Sequence, residues 1–424
     1  MESNENEEQI IDSEKTTGAE TEKTPETTAK TPAMTSTKTD NQDKSMCQLY
    51  LSNPVQTKET IGSYTSYTLQ GIRITNPITR RYRDFDALRS HLVERWPGVF
   101  IPGMPHKKAV GSNDKEVVDM RIEMLNRFCE KLANIGYIFN EKEMDYFLQE
   151  VDDVPKLLQS LPAQSYDDIL KKYSSAFYDY EDNGEFLNMK QNQTEFLGKL
   201  KNKIPFMRNF SNTVKLLKEK YQTMQEGYNT VLNVFQVYEE ETLIEYAGKN
   251  PEKMVINSDN NQFKGGNKKT EVKTKNPYDK LYDSITGDIL DAEAMVEALN
   301  SLNSLHETLE KIKKNHASIS TQLNELQEGK TNIKAVFRFQ SREKNIQDLG
   351  VEQEQLAKDW KDLEQVLNLA VWNMEREIKN FKETNLDAYY KILVKVSQNF
   401  KENSETLGEF WDYILHNNNI QIEH

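Results

Sequence analysis

The chain has only two cysteines in 424 residues, Cys47 and Cys129, and six scattered histidines. Two thiols build neither a disulfide framework nor a cysteine-rich metal site, and they suit a reducing compartment. No apolar run approaches the roughly 20 residues that span a bilayer, and the polar, acidic start is unlike a secretory leader. Phosphate-cradling glycine loops, nucleophile elbows and metal-ligand spacings are missing too, so an enzyme is not expected, nor a cofactor or metal. Positive charge is in short supply: 54 Lys and Arg stand against 68 Asp and Glu, a formal net charge of −14. That balance argues against general nucleic-acid binding. It also makes any attraction to an anionic surface local, because exposed charges beyond a Debye length are screened. The expected location is the cytosol or the cytosolic face of a membrane.

The length allows two or three domains. With 36% hydrophobic and 29% charged residues, long exposed helices are a better fit than one large core. Residues 1–45 are rich in Thr, Glu and Lys and hold almost no large apolar side chains. They cannot bury enough surface to offset their ordering entropy and read as a disordered acidic tail.

From Met46 the pattern changes. Cys47–Leu51 and Tyr64–Leu69 alternate as strands do, punctuated by Asn53-Pro54 and Gly62. Arg80–Phe85 reads as a third strand running into a helix of Leu88, Leu92 and Trp96, which Pro97-Gly98 ends. Within this stretch Thr79–Phe85 reads T-R-R-Y-R-D-F. Guanidinium forks match phosphate oxygens, and the adjacent aromatic can pack on a sugar-like ring. A phosphorylated cyclitol headgroup needs both features, whereas an edge strand with solvated arginines needs neither. Downstream, Ile101–Lys108 holds two prolines and ends in a lysine pair, which favours an extended turn. Val118, Ile122, Leu125 and Phe128 then step with helical period, with Arg121 near the start.

In order and spacing, residues 46–150 resemble a PX (phox-homology) domain. The resemblance implies an α+β fold: a small antiparallel three-stranded sheet packed on helices, with a phosphoinositide pocket between. It implies that Arg81 grips the phosphate at the inositol 3-position and that Tyr82 packs on the ring. Lys107 would meet the 1-phosphate, and Arg121 would bond the hydroxyls at positions 4 and 5. Arg83, where many members carry serine, would add charge at the pocket mouth, while Arg80 would salt-bridge structurally. Met104, Ala109 and Val110 lie where the family has its membrane-touching loop, and ordinary loop packing is the alternative. One departure is Gly103, which stands where a second proline is usual, with Met104 for the common leucine; it would loosen the proline turn.

Residues 151–185 read as a linker with a docking helix at Tyr166–Phe177. In 186–204, Phe186, Leu187, Phe196, Leu197, Leu200 and Ile204 interleave with lysines. An interfacial membrane helix and the first turns of a bundle are both open there. After Pro205 a heptad seam runs through Met207, Val214, Tyr221, Tyr228 and Phe235 to Tyr238. A basic loop follows at 249–277, then a second helix, about Leu281–Asn345, whose stripe includes His316 as a satisfied core residue. A turn is expected at Asp348-Leu349-Gly350, then a third helix through Leu363, Met374 and Phe400 to Ile414. Lys330, Lys334, Arg338 and Arg342 recur every four residues on one ridge; they form either a solvated face or a membrane contact.

Coming after a PX-like segment, the three helices of 205–417 resemble the BAR domain of the sorting nexins, an all-α elongated antiparallel coiled-coil bundle. A bundle this thin leaves apolar surface uncovered, and dimerisation, homotypic or heterotypic, is the expected remedy. The resemblance implies a peripheral protein that binds phosphoinositide, with phosphatidylinositol 3-phosphate expected, and senses or shapes curved endosomal membrane for protein sorting. The alternative is a PX-targeted coiled-coil scaffold that recruits partner proteins without sensing curvature.

Overall fold

The structure is a computed structural model and describes residues 49–58, 63–107, 115–182, 184–247, 274–328 and 342–417. The tail 1–45, Ala109, Val110, most of the basic loop, and Lys330, Lys334 and Arg338 lie outside these. Three strands, β1 (Tyr50–Lys58), β2 (Ser63–Gln70) and β3 (Ile78–Arg81), form an antiparallel sheet in the order β1-β2-β3. Proline has no N–H to give a ladder. Asn53-Pro54 is accordingly accommodated on edge strand β1, where the register shifts between Ser52 and Val55 and Asn53 takes φ 47°. Tyr67, Leu69 and Ile78 face the core.

The third strand ends earlier than its composition suggests. Asp84 accepts the Arg81 backbone N–H at 2.7 Å, closing a helical turn from below as an N-terminal cap does. Helix α1 therefore starts at Tyr82 and runs to Arg95, so Tyr82–Phe85 are helical rather than extended. Phe85, Leu88 and Leu92 share its buried face. Helices α2 (Lys115–Ala133), α3 (Gly136–Phe139) and α4 (Lys142–Leu148) complete this part. The Phe147 ring meets Phe85 edge-on at 5.0 Å.

Residues 151–177 are largely packed and not a free connection. They hold α5 (Val154–Gln159) and α6 (Tyr166–Ala176), the latter opened by a reciprocal Ser165–Asp168 cap. Tyr173 stacks on Trp96 at 5.3 Å, and its hydroxyl donates to the Pro97 carbonyl at 2.5 Å.

Three long helices follow. The first, α7 (Phe186–Tyr238), has 53 residues and continues through a π-helical turn, Glu239–Leu243, into α8 (Ile244–Ala247). Helix α9 (Asp279–Gln327) has 49 residues and α10 (Arg342–Asn417) has 76; at about 1.5 Å per residue α10 extends roughly 110 Å. Lys275 pairs with Glu402 and Lys313 with Glu364, so α9 runs antiparallel to α10. The buried pair Leu232–Phe410 and the Tyr221–Asn403 bond make α7 parallel to α10.

The bundle corrects three sequence readings. Residues 186–204 are not a separate interfacial helix: α7 continues past Pro205, which lies on its exposed side, and Leu197, Leu200 and Ile204 are buried in the core. The turn expected at 348–350 lies inside α10. Leu349 is buried against Ile319, Leu323 and Leu326, so an isolated glycine at 350 is carried by the packing on its helix. His316 meets Trp360 edge-on at 5.7 Å, but both are half-buried, so His316 sits at the margin of the packing stripe and not in the core. One continuous apolar cluster joins Phe85 and Phe128 to Met295, Leu299, Leu363 and Met374.

Candidate functional site

The sheet's last strand hands the chain directly to α1, and this junction sets Arg81 and Tyr82 at the helix start. Arg81 is half-buried, with its guanidinium carbon over the Tyr64 ring, 3.2 Å from the centroid. The Tyr82 hydroxyl donates to the Pro105 carbonyl at 2.5 Å, tying the ring to the proline turn. Helix α2 brings Arg121, only 6% exposed, to 4.9 Å from the centre of the Tyr82 ring. Burial, with Asp86 adding to it, pushes the Tyr82 phenol up to about 12, against the pull of Arg121 and Arg89. Tyr82 is therefore a neutral ring and hydrogen-bond donor throughout the physiological range. Burial also raises the phenol of Tyr67, against the opposing charge of Arg121.

Lys107 is exposed and lines a cleft of about 370 Å³ together with Tyr82. The opposite wall comes from α9, through Leu290, Glu293 and Glu297. Glu297 pairs with Arg89 at 2.6 Å, and Glu293 with His106 and Arg208 at 2.9 and 2.6 Å. Arg89 also donates to the Pro102 carbonyl at 2.9 Å. The cleft thus sets the Tyr82 phenol and the Lys107 ammonium against paired carboxylates, with Arg121 against the Tyr82 ring and Arg81 next to it in sequence but turned over Tyr64, outside the cleft lining. This chemistry suits a phosphorylated polyol: arginine forks for phosphate, a ring face for the carbocycle, and a lysine at the mouth.

The remaining sequence candidates divide. Arg80 is structural, and among the described residues carbonyls hold it: it donates to Phe147 at 2.9 Å, to Thr79 at 2.7 Å and to Gln149. Arg83 is engaged by Asp84 at 3.5 Å and Asp153 at 4.0 Å. Met104 is a correction: at 8% exposure it is packed beneath the turn and offers no surface to a membrane. Arg342 donates to the Leu326 and Gln327 carbonyls, closing the C-terminal end of α9. Sequence reading missed Arg89, His106, Glu293 and Glu297. Only the fold brings α9 to the proline turn, and no local pattern marks them.

A family model of the PX domain matches residues 73–151. Sorting nexin 1 of Arabidopsis thaliana is 34% identical over 104 residues, which are 24% of this chain and 24% of that protein. Sorting nexin-33 of Homo sapiens is 28% identical over 93 residues, 22% of this chain and 16% of that protein. Each match therefore spans less than a quarter of the curated relative's own length. The cryo-EM structure of the SNX-BAR Mvp1 tetramer covers 86% of this chain and 99% of that one, at 12% identity and TM-score 0.49. Among the described residues no helix is long and apolar enough to cross a membrane. With its three-stranded antiparallel sheet, the helices that follow it and this family match, the chain carries a PX domain, through which it is related to the sorting nexins.

Proposed function

We propose that this chain is a non-enzymatic peripheral membrane protein that grips a phosphoinositide headgroup between Arg81, Tyr82, Lys107 and Arg121. Phosphatidylinositol 3-phosphate is the expected form. The observation that carries this reading is the Tyr82 ring, pinned by its hydroxyl to Pro105 and flanked by the Arg121 guanidinium at 4.9 Å. A ring fixed on both sides is ready to receive a carbocycle without reordering.

The helical region dimerises and carries two such sites to curved endosomal membrane for protein sorting. Large side chains left uncovered on α7 and α10 support this: Val231 is 50% exposed, Phe235 48%, Tyr389 50% and Val394 57%. Exposed large apolar side chains in such number favour an interface. Two linked headgroup sites raise avidity by roughly 10²–10⁴ over one. Replacing Arg81 by Ala in the full chain tests the site. Vesicle binding is lost while the melting transition stays in place; retained binding removes Arg81 from the site.

A further inference from the structure

The proline turn departs from the pattern it resembles at Gly103, and the structure supplies the reason. A Cβ placed on Gly103 would run into the Leu290 carbonyl, which is helix backbone and not a yielding side-chain tip. The Gly103 N–H, which a proline would lack, donates to Asp291 Oδ1 at 3.2 Å. Asp291 lies on α9 and is 2% exposed. Its other oxygen accepts Lys131 Nζ at 2.5 Å and Arg127 at 2.8 and 3.2 Å, both from α2. One buried carboxylate thus ties together the turn that carries Pro105 and Lys107 and the helix that carries Arg121. Such a group is stable only because both oxygens are satisfied.

We propose that Asp291 is a positioning residue for the headgroup site, so that α9 of the helical region completes a pocket whose contacting residues all lie in the PX domain. This inference rests on the headgroup reading above. Glycine at 103 is then a requirement of the docking and not a loosening of the turn. It removes the side chain that would keep α9 away and supplies the amide that Asp291 holds.

The test uses the full chain with phosphatidylcholine vesicles doped with phosphatidylinositol 3-phosphate. Asp291→Ala is expected to weaken binding about tenfold, the scale of a lost buried hydrogen bond to a charged group. Asp291→Asn keeps an oxygen for Gly103 but sets an amide NH2 against Lys131 and Arg127, so it too is expected to weaken binding, by up to about tenfold. In a Lys107→Ala background the Asp291→Ala loss shrinks to about threefold or less, because the lysine it positions is already gone. A loss of equal size in both backgrounds overturns the proposal. Should Asp291→Ala not fold, Gly103→Ala in the same two backgrounds gives the same reading. A wild-type chain that binds the lipid and loses it with Arg81→Ala, while Asp291→Ala binds unchanged, overturns this inference alone. A wild-type chain that binds no inositol lipid overturns the headgroup reading and this inference with it.

Discussion

The Arg121 guanidinium lies against the Tyr82 ring, 4.9 Å from its centre, and the Tyr82 hydroxyl reaches across to the Pro105 carbonyl. The ring is therefore both a binding surface and a strut. Tyr82→Phe keeps the surface and drops the strut, at a cost of about 1 kcal/mol in stability, with headgroup binding largely retained. Tyr82→Ala removes both and is expected to lower affinity at least about tenfold, since it also takes away the ring face. Denaturant melts and vesicle titrations on the two variants separate these effects. Equal losses from both would mean that the ring face contributes nothing.

Glu377 on α10 provides a pH-dependent contact. Burial pushes its carboxyl up to about 7, against the pull of Arg376 and of the Tyr137 hydroxyl on α3. Between the ordinary carboxylate range and about 7 the folded chain holds a proton that the unfolded chain releases, so stability falls as pH rises through that window and levels off above it. Relative to Glu377→Gln, wild type should lose on the order of 2 kcal/mol between pH 5 and pH 8. Urea denaturation of both proteins across that range measures it. Parallel curves would show that the carboxyl titrates normally.

The uncovered stripe on α7 gives a test of assembly. Val231→Glu with Phe235→Glu places two charges where a second helical region would pack, and a dimer dissociation constant should rise at least about 100-fold. Light scattering reads the mass. An unchanged mass in the double variant would exclude this stripe as the interface.

The basic ridge needs a narrower variant than all of its residues together. Arg342 donates to the Leu326 and Gln327 carbonyls, so reversing its charge would also open the end of α9. Reversing Lys334 and Arg338 alone is expected to weaken vesicle tubulation more than headgroup binding. Untouched tubulation would make the ridge a solvated face.

Local patterns in the chain carry much of this structure, and they fail where neighbours decide. Alternation around Tyr67 and Leu69 announces strands because their partners lie a hairpin away. The order and spacing from Arg81 to Arg121 are legible because they are those of a whole small domain, the one the family model matches at 73–151. Leu349 and Gly350 look like a turn in isolation, yet Leu349 is held by Ile319, Leu323 and Leu326 from an antiparallel helix. Leu197 and Leu200 look like a membrane face until α9 and α10 cover them. Asp291 carries no signal at all, because its meaning depends on Gly103, 188 positions earlier.

Binding of the wild-type full chain to two sets of vesicles, matched in total negative charge, tests the central claim most directly. One set carries phosphatidylinositol 3-phosphate and the other only unphosphorylated anionic lipid. Saturable binding to the first and little to the second is the expected result. Equal binding to both, or to neither, would contradict a headgroup site at Arg81 and Tyr82.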